Sequence, residues 1–497
     1  MSVSIGNVWL KENFNLPQFS LNSTSYINNY DKIEINTNGT TTRFFGKKYG
    51  LKSESPLEHI VFSLKHEELN LGLLKAVFEQ LSLYEIKGYI EISPKGKYER
   101  KIGFLYEFLT DQFIHLSTEI TGNYIDLLDE EKYVAGLKIK SLKWKILNNL
   151  LGSKEYCPII RKTNELKELL RLDFPNEIKQ LQQNYSPAVF NRAISYLFTK
   201  ETRSSYEIER EIPSPDRLER FIGLLQQAGA QSLNELLDER SLMSYQNSIV
   251  DPRFSASGFR NFQNYIGENS PNFSERIHYI CPSPEKVKGL MDGLKISVNK
   301  SDHTHPIIKA TIISFGFVFI HPFEDGNGRL HRFLIHDSFV RDKLIPNGFV
   351  IPISANMLNN RLEYDNVLEN YSKPILPFIK YSKNEAGELT ILNPLEIDPY
   401  YTYPDLTAQS VYLSRTVQQC VIEDMPNELD FIQLYDELKI EIQQLVDMPD
   451  KMINRFILFL HQNKGVFPKR RREEFSKMTD DEIKRIEVIY KNLVELQ

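Results

Sequence analysis

Hydrophobic and polar positions divide the chain into a mixed first part and a mainly helical remainder. Alternation across residues 32–45, on either side of Asn38-Gly39, predicts a β-hairpin. Apolar residues at three- and four-residue spacing over 73–81 predict a helix, and residues 89–92, before a turn at 94–96, predict a strand. We therefore expect a mixed α/β accessory domain at residues 1–175. A small winged-helix-like unit is the alternative to a plain scaffold there.

From about residue 176 the pattern becomes strongly helical, with explicit helix starts. Ser214-Pro215 and Ser283-Pro284 each place a capping hydroxyl before a proline, and Ser232 with Glu235 forms a capping box. Between them, residues 258–266 and 275–281 predict two short extended segments around a turn at 267–272. Residues 176–385 are thus expected to form a helical core with one small β-hairpin.

The last part of the chain is predicted to be helical again. Residues 393–404 are rich in Pro and Tyr, which is typical of a linker or a surface arm. Thr479 with Glu482 forms a capping box that opens a final helix. The fold class is therefore mainly α, with a helical C-terminal domain at residues 386–497.

Composition indicates an ordinary globular protein. Of the 497 residues, 41% are apolar and 25% charged, and the net charge of -6 gives no general reason to expect nucleic-acid binding. The cysteines Cys157, Cys281 and Cys420 lie too far apart for metal or redox spacing. The N-terminus lacks a signal-peptide pattern, and the longest apolar run, 307–320, is too short to cross a bilayer. These features predict a cytoplasmic protein with no membrane partner.

Candidate chemistry is concentrated at residues 321–332, which read His-Pro-Phe-Glu-Asp-Gly-Asn-Gly-Arg-Leu-His-Arg. The preceding apolar run predicts a buried helix that Pro322 ends. Gly326 and Gly328 permit a tight loop, and a second helix follows. The loop thus meets a helix N-terminus, where free N–H groups and the macrodipole favour an anion.

Four charged or titratable side chains in this segment suit phosphoryl chemistry. Arg329 and Arg332 are three residues apart, so both guanidinium groups project from one side of the helix and suit a di- or triphosphate. Asp325 is an oxygen ligand suited to Mg²⁺, and His321 accepts a proton near neutral pH. A plain helix–loop–helix corner is the structural alternative, but it requires neither two glycines around an asparagine nor two arginines on one side.

The segment resembles, at every defining position, the motif of the Fic family, His-x-Phe-x-Asp/Glu-Gly-Asn-Gly-Arg-x-x-Arg. The likeness extends over about residues 190–385, and more weakly into both flanks toward longer multidomain bacterial members, which implies a winged-helix-like C-terminal domain at residues 386–497. It implies an adenylyltransferase (AMPylator) with Mg²⁺ and ATP. His321 would deprotonate a hydroxyl of a target protein, which then attacks the α-phosphorus and expels pyrophosphate.

The resemblance also implies roles for the other motif residues. Asp325 would hold Mg²⁺, and Phe323 would anchor the loop. Gly326, Asn327 and Gly328 would form the anion hole, and Arg329 and Arg332 would bind the outer phosphates. Tyr364 would stack on the nucleobase. The target-docking flap would contain Ile277, His278, Tyr279 and Ile280.

An inhibitory motif is also indicated by resemblance. Ser205 and Glu209 match the family pattern Ser/Thr-x-x-x-Glu-Gly/Asn, whereas Arg210 replaces the small final residue. The resemblance implies that Glu209 pairs with Arg332 and keeps the ATP γ-phosphate from its productive position. An ordinary surface helix of mixed charge is the alternative.

Several alternatives remain open at this stage. The enzyme class includes removal of AMP with Glu209 positioning water, or transfer from a different nucleotide donor. A different class is a nucleotide-sensing DNA-binding or antitoxin-like regulator, since resembling members have a winged-helix C-terminal domain and Lys469–Arg472 is basic. Self-modification and a homo-oligomer are possible.

A metal site built from His303, His305, His331, His336 and Asp337 is disfavoured, because no carboxylate or cysteine spacing completes it.

Overall fold

The computed structural model describes residues 2–36, 40–269 and 275–496 and is built mainly from helices. The predicted mainly α class is confirmed. No helix in this part of the chain is long and apolar enough to cross a membrane.

The N-terminal part combines two small sheets with short helices. One sheet has the order β1-β2-β4-β3, with β2 parallel and β3 antiparallel to β4, and the other has the order β5-β7-β6. The elements are β1 (Val3–Ser4), α1 (Asn7–Asn13), β2 (Ser23–Asn28), β3 (Lys32–Ile35), β4 (Thr41–Gly46), α2 (Pro56–His66), α3 (Leu71–Phe78), α4 (Leu83–Ile92), α5 (Lys97–Thr110), β5 (Ile125–Asp126), β6 (Ile139–Ser141) and β7 (Ile146–Asn148).

Two of the predictions for this part are right and one is wrong. Strands β3 and β4 pair antiparallel as predicted, although the Asn38-Gly39 turn lies outside the described residues. The predicted helix is α3. Residues 89–92 are not a strand but the end of α4, because Ile86 and Ile90, four residues apart, are buried on one helical face. The strand that a winged-helix unit requires at this point is therefore absent.

The central part is almost entirely helical. Its elements are α6 (Asn164–Leu169), α7 (Phe174–Asn184), α8 (Pro187–Ile208), α9 (Pro215–Gln226), α10 (Leu233–Leu236), α11 (Glu239–Ile249), β8 (Tyr265–Asn269), β9 (Glu275–Ile280), α12 (Pro284–Lys300), α13 (Pro306–Ile320), α14 (Asn327–Arg341), α15 (Ile353–Asn359) and α16 (Arg361–Ile375).

The predicted helix starts and hairpin of this part are found in the structure. Ser214 and Ser232 cap α9 and α10 through their side chains, and Ser232 forms the capping box with Glu235. Ser283 is the N-cap of α12 as predicted, but its hydroxyl forms no capping hydrogen bond. Strands β8 and β9 form an antiparallel hairpin, but the first strand begins only at Tyr265, so residues 258–264 are loop. Residues 270–272 of the predicted turn lie outside the described residues.

The C-terminal part begins with a short hairpin and continues as helices. Its elements are β10 (Tyr381–Lys383), β11 (Leu389–Ile391), α17 (Pro394–Thr402), α18 (Thr407–Gln419), α19 (Met425–Leu445), α20 (Asp450–Gln462) and α21 (Asp480–Leu496). A π-helical segment, Cys420–Asp424, joins α18 to α19.

Two expectations for this part are wrong. Residues 393–404 are not a linker, because α17 buries Ile397 and Tyr401, and Tyr401 donates a hydrogen bond to the Ile280 carbonyl at 2.7 Å. The C-terminal domain has no wing, since the described residues from 392 to 496 contain helices and no strand.

The described residues form three hydrophobic cores. The largest runs from Val134 to Ile432 and surrounds α13, in which every residue after Pro306 is buried. The second belongs to the N-terminal part and includes Tyr403, and the third comprises residues of 434–490. The boundaries 1–175, 176–385 and 386–497 stay predictions. The large core supplies the rigid support on which the motif loop sits.

Candidate active site

His321 lies at the end of the buried helix α13, in a left-handed turn. Its φ is 54°, and its N–H still donates to the Phe317 carbonyl at 2.9 Å, so it closes the helix. The ring nitrogen Nδ1 lies 3.2 Å from the Val318 carbonyl oxygen, which requires a hydrogen on Nδ1 and leaves Nε2 with the lone pair. Burial, with the nearby Arg260 cation, lowers the pKa of His321 to about 4. The ring is therefore a neutral proton acceptor near pH 7.

The loop after His321 is fixed by its own side chains. The Asn327 amide accepts from the Phe323 N–H at 3.0 Å and donates to the Phe323 carbonyl at 2.9 Å. Phe323 is fully buried, with its ring 5.6 Å from that of Phe259. The structure therefore places Phe323 where an anchor is expected. It also shows that the side chain of Asn327 holds the loop, so only its backbone can face an anion.

Helix α14 begins at this loop with its first N–H groups uncapped by any described side chain. Its N-cap is Gly326, with a φ of 85° that favours glycine. A Cβ at Gly328 would overlap the carboxylate of Glu209. A carboxylate thus already lies at the N-terminus of α14, where an anion is favoured.

Arg332 is fully enclosed by groups that bind its guanidinium. It is 1% exposed and donates to Ser205 Oγ at 2.8 Å, to the Ser205 carbonyl at 2.7 Å and to Glu209 Oε1 at 2.8 Å. Glu209 remains about one third exposed, at 35%. The two residues of the inhibitory motif therefore both contact Arg332.

Arg329 is bound by two other carboxylates. It is 1% exposed and donates to Glu211 at 3.0 Å and to Asp325 Oδ1 at 2.7 Å. Glu211 also accepts from Arg217 at 2.8 Å, and both guanidinium groups lie over the ring of Tyr206, at 5.3 and 5.0 Å. Glu211 therefore pairs with the first motif arginine as Glu209 pairs with the second.

The end of α8 shows how Arg210 is accommodated. Glu209 is the C-cap, Arg210 has a φ of 59°, and the Glu211 N–H donates back to the Tyr206 carbonyl at 3.0 Å. This is a left-handed helix ending, for which glycine or asparagine is preferred. Arg210 adopts it with a backbone cost, and Glu209 keeps its position.

Tyr364 lies beside the site but its ring is covered. It is 3% exposed, its ring lies 6.3 Å from that of His331 and 6.2 Å from that of Tyr412, and its hydroxyl is 3.5 Å from the Arg332 guanidinium. The structure thus brings Tyr364 to Arg332, and in this state the ring faces protein. Its contact with a nucleobase stays a prediction.

The four candidate flap residues lie on β9 and differ in burial. Tyr279 and Ile280 are buried, and Tyr279 donates to the Phe319 carbonyl of α13, so they attach the hairpin to the core. Ile277 and His278 are half-buried, and His278 lies 3.3 Å from Glu268 across the hairpin. In the described residues β8 and β9 pair only with each other, which leaves a strand edge for an added strand.

Sequence reasoning missed five residues that hold the site. Arg361 donates to the Ile208 carbonyl at 2.8 Å and so fixes the end of α8. The others are Glu211, described above, and three side chains that bind carbonyl groups of the motif loop, Gln246, Arg260 and Asn264. Their partners are some 60 residues or more away along the chain, so no local pattern marks them.

The weaker candidates take part in structural contacts. Nδ1 of His305 accepts from the Ile307 N–H at 3.2 Å, and His336 pairs with Glu201 at 2.8 Å. Among the described residues no group of three or more potential metal ligands is found. In the basic run, Arg471 pairs with Glu474 and Arg472 with Asp480, so half of its charge is neutralised internally.

Comparison with known proteins supports the motif. Residues 237–337 match the sequence model of the Fic/DOC family. Among solved structures, the chain is similar to a Fic family protein from Desulfovibrio desulfuricans (16% identity, TM-score 0.38, 56% of this chain and 80% of that one). It is also similar to a Fic-domain signalling protein from Bacteroides thetaiotaomicron (18%, 0.34, 52% and 96%). A third is Fic-1 from C. elegans (18%, 0.32, 53% and 73%).

Fic domains are typically transferases that use nucleotide triphosphates and commonly move AMP or other nucleotide groups to proteins. The resemblance predicted from residues 321–332 is confirmed. The match to the Fic/DOC family model covers residues 237–337 and includes the whole motif at 321–332.

Proposed function

We propose that the protein is an adenylyltransferase that moves AMP from Mg-ATP to a hydroxyl of a target protein and is restrained by its own Glu209. The observation that carries this proposal is the occupation of the α14 N-terminus. Two buried arginines there bind carboxylates of the same chain, and one of these carboxylates, that of Glu209, lies beside Gly328 in the first turn of the helix. Arginine forks bind carboxylate and phosphate alike, so the site suits a polyphosphate once those carboxylates withdraw.

His321 supplies the base in this proposal. Its Nε2 takes the proton of the target hydroxyl while the hydroxyl oxygen forms a bond to the α-phosphorus. The bond between the α-phosphorus and the β-phosphate oxygen breaks, and pyrophosphate leaves. The neutral state of His321 supports this role, because a protonated ring has no lone pair to accept the proton.

Asp325 fits the Mg²⁺ that such a step requires. Its side chain is 40% exposed, and both hydrogen bonds to its carboxylate go to Oδ1, so Oδ2 faces no donor among the described residues. A hard oxygen ligand suits this ion. Bound Mg²⁺ would neutralise charge on the phosphate oxygens.

Inhibition in this proposal involves two carboxylates. Glu209 competes with phosphate for Arg332, and Glu211 competes for Arg329. Glu211 also holds Arg217, so its release requires breaking two ion pairs. The free edge of the β8–β9 hairpin supports docking of an extended target segment, as in β-strand addition.

The test is transfer measured by mass spectrometry. The protein is incubated with each nucleoside triphosphate and Mg²⁺ as wild type, Glu209→Gly, Glu211→Gln and His321→Ala. We expect a mass increase of one AMP on the protein itself, raised about tenfold or more in Glu209→Gly because one charge-assisted pair is worth roughly that factor. Glu211→Gln should give a smaller rise, and chelation of Mg²⁺ should abolish transfer.

Glu207→Gly is the matched control, since Glu207 lies on the exposed side of the same helix end and forms no ion pair among the described residues. Equal activity of the Glu207 and Glu209 variants contradicts the inhibitory role. Transfer that persists in His321→Ala contradicts the catalytic role. Transfer from a nucleoside triphosphate other than ATP would show that the donor is a different nucleotide. A lack of transfer with a salt-dependent DNA gel shift, lost on charge reversal at Lys469–Arg472, favours the regulator instead.

A further inference from the structure

Arg260 is a buried arginine without an acidic partner. It is 5% exposed and forms no ion pair with any described residue. Its guanidinium donates only to backbone carbonyls: Nε to His321 at 2.8 Å, one terminal nitrogen to Phe262 at 2.9 Å, and the other to Pro282 at 2.6 Å and Ile320 at 3.4 Å. Its own N–H donates to the Pro322 carbonyl at 2.8 Å. Burying a charge without an ion-pair partner costs free energy, and here only hydrogen bonds to carbonyl groups offset that cost.

The contacts of Arg260 belong to a larger set around the motif loop. Six consecutive carbonyls, those of residues 320–325, accept hydrogen bonds from three side chains or from Arg260 N–H. Asn264 donates to Phe323 and Glu324, each at 3.3 Å, and Gln246 donates to Asp325 at 3.2 Å. We call Gln246, Arg260 and Asn264 the carbonyl-binding cluster. The cluster binds the carbonyl groups, which are the negative ends of the loop peptide dipoles. The N–H groups of the same peptides are therefore free to face an anion on the opposite side of the loop.

We propose that Arg260 is a positioning residue that holds the His321 turn and joins it to the base of the β8–β9 hairpin. The inference rests on the proposed function of His321. The turn needs such support, because the left-handed backbone conformation of His321 is strained at a residue other than glycine. Phe262 lies three residues before β8 and Pro282 two residues after β9, so one guanidinium connects the segments at both ends of the hairpin to the His321 turn.

The charge of Arg260, like its hydrogen bonds, supports the role of His321 as a base. After burial itself, Arg260 is the main cause that lowers the pKa of His321, against opposing effects from Glu209 and Asp325. A cation near the ring disfavours a second proton on it. Arg260 thus orients the ring through the backbone and helps to keep it neutral.

Arginine is required at this position because of its shape. Its planar fork presents five N–H donors in fixed directions, which suits four carbonyls around one group, whereas lysine has a single nitrogen. Arg260→Lys keeps the charge and loses the fork. Arg260→Gln keeps a donor and loses the charge.

The test compares both variants in the Glu209→Gly background, with Arg253→Lys as the matched control. Arg253 is an exposed arginine before the same hairpin, and its one ion pair among the described residues is with Asp251. We expect kcat for automodification to fall on the order of 10²-fold in both Arg260 variants, since a displacement of about 1 Å at a reacting group has this effect. The KM for ATP should stay within about twofold, and Arg253→Lys should match its parent.

A second measurement does not depend on transfer. With ¹³C-labelled histidine, the His321 ring resonance, identified by its loss in His321→Ala, should shift in both Arg260 variants and stay in place in Arg253→Lys. An unchanged resonance, or a rise in KM with unchanged kcat, overturns the positioning role. If the parent shows no transfer but the resonance shifts, the proposed function fails and the positioning role stands.

Discussion

His321 is half-buried, and its surroundings keep the ring neutral near pH 7. Because its Nδ1 faces the Val318 carbonyl, only Nε2 is free to take a proton. Glu209 and Asp325 would raise its pKa, but burial and Arg260 outweigh them. A histidine in open solution, by contrast, is half protonated near pH 6.5.

The pH dependence of transfer should reflect this environment. We expect kcat/KM of the Glu209→Gly protein to stay level as pH falls from 8 toward 5 and to drop only as pH approaches about 4. The sign follows from the base role: protonation removes activity, and a lowered pKa moves that loss to more acidic pH. Rates measured between pH 4 and 8 check this, with circular dichroism to confirm folding. A midpoint near 6.5 would contradict it.

Arg210 gives a second prediction at the scale of one residue. Arg210→Gly should raise the free energy of unfolding by about 1 kcal/mol, because glycine adopts the left-handed helix ending without steric cost. Differential scanning calorimetry measures the shift. Arg203→Gly, at an exposed position inside the same helix, should instead destabilise by about 1 kcal/mol. A lower transition temperature for Arg210→Gly would refute the account.

At the scale of elements, α8 and α14 are joined by polar pairs at successive turns. Glu201 binds His336, Ser205 binds Arg332, and Glu209 reaches Arg332 beside Gly328. These positions are spaced by four residues on both helices and run in opposite directions. Glu201 also accepts from the Ser354 N–H at 2.7 Å, which ties α15 to the same row.

This row predicts a link between helix anchoring and inhibition. Glu201→Ala should lower stability by about 3–5 kcal/mol, since it breaks a buried pair and leaves His336 and Ser354 without their partner. It should also raise automodification, because α8 then holds Glu209 less firmly. Thermal unfolding and labelled-ATP transfer measure the two effects, with Glu207→Ala as the control. Lower stability with unchanged transfer would show that the anchoring of α8 by Glu201 does not control inhibition.

The elements themselves were predictable where one local pattern governs them. Capping residues and apolar spacing located α3, α9, α10 and the helices around the motif. The prediction was wrong at residues 89–92. Alternation over four residues there suggested a strand, whereas the four-residue spacing of Ile86 and Ile90 marks the buried face of a helix. The prediction was also wrong at 393–404, where Pro394 stands at the first turn of a helix and is compatible with it.

The motif residues of the site could be predicted from the sequence, but the residues that hold the motif loop in place could not. Residues 321–332 are contiguous, so their chemistry can be read directly from the sequence. Arg260 and Gln246 bind carbonyl groups, which any residue provides, so nothing in the sequence pairs them with the loop. Tertiary contacts of this kind become visible only in the fold.

At the scale of the molecule, distant segments meet in ways that no local pattern contains. Asn22 and Arg161 both bind Asp405, the latter at 3.1 Å, and Tyr403 packs into the N-terminal core. Helix α19 contributes Leu429 to the large core and Leu438 to the C-terminal one. A single helix therefore connects the two cores.

The separate C-terminal core predicts a local response to a core mutation. Phe456 is fully buried and stacks on Phe467 at 4.4 Å. Phe456→Ala should destabilise this core by about 3–5 kcal/mol and leave the large core intact. Hydrogen exchange should rise within residues 434–490 and not in 306–341. Phe78→Ala is the matched control for the N-terminal core, and increased exchange at 306–341 in Phe456→Ala would show that the cores unfold together.

The burial of every cysteine has a practical consequence. Cys157, Cys281 and Cys420 are free thiols enclosed in the fold, so a maleimide reagent has no target on the native protein. Ile212, one residue after Glu211, is 96% exposed. A cysteine introduced there accepts a single fluorophore, whose emission would report in real time any movement of Glu209 and Glu211 away from the motif arginines.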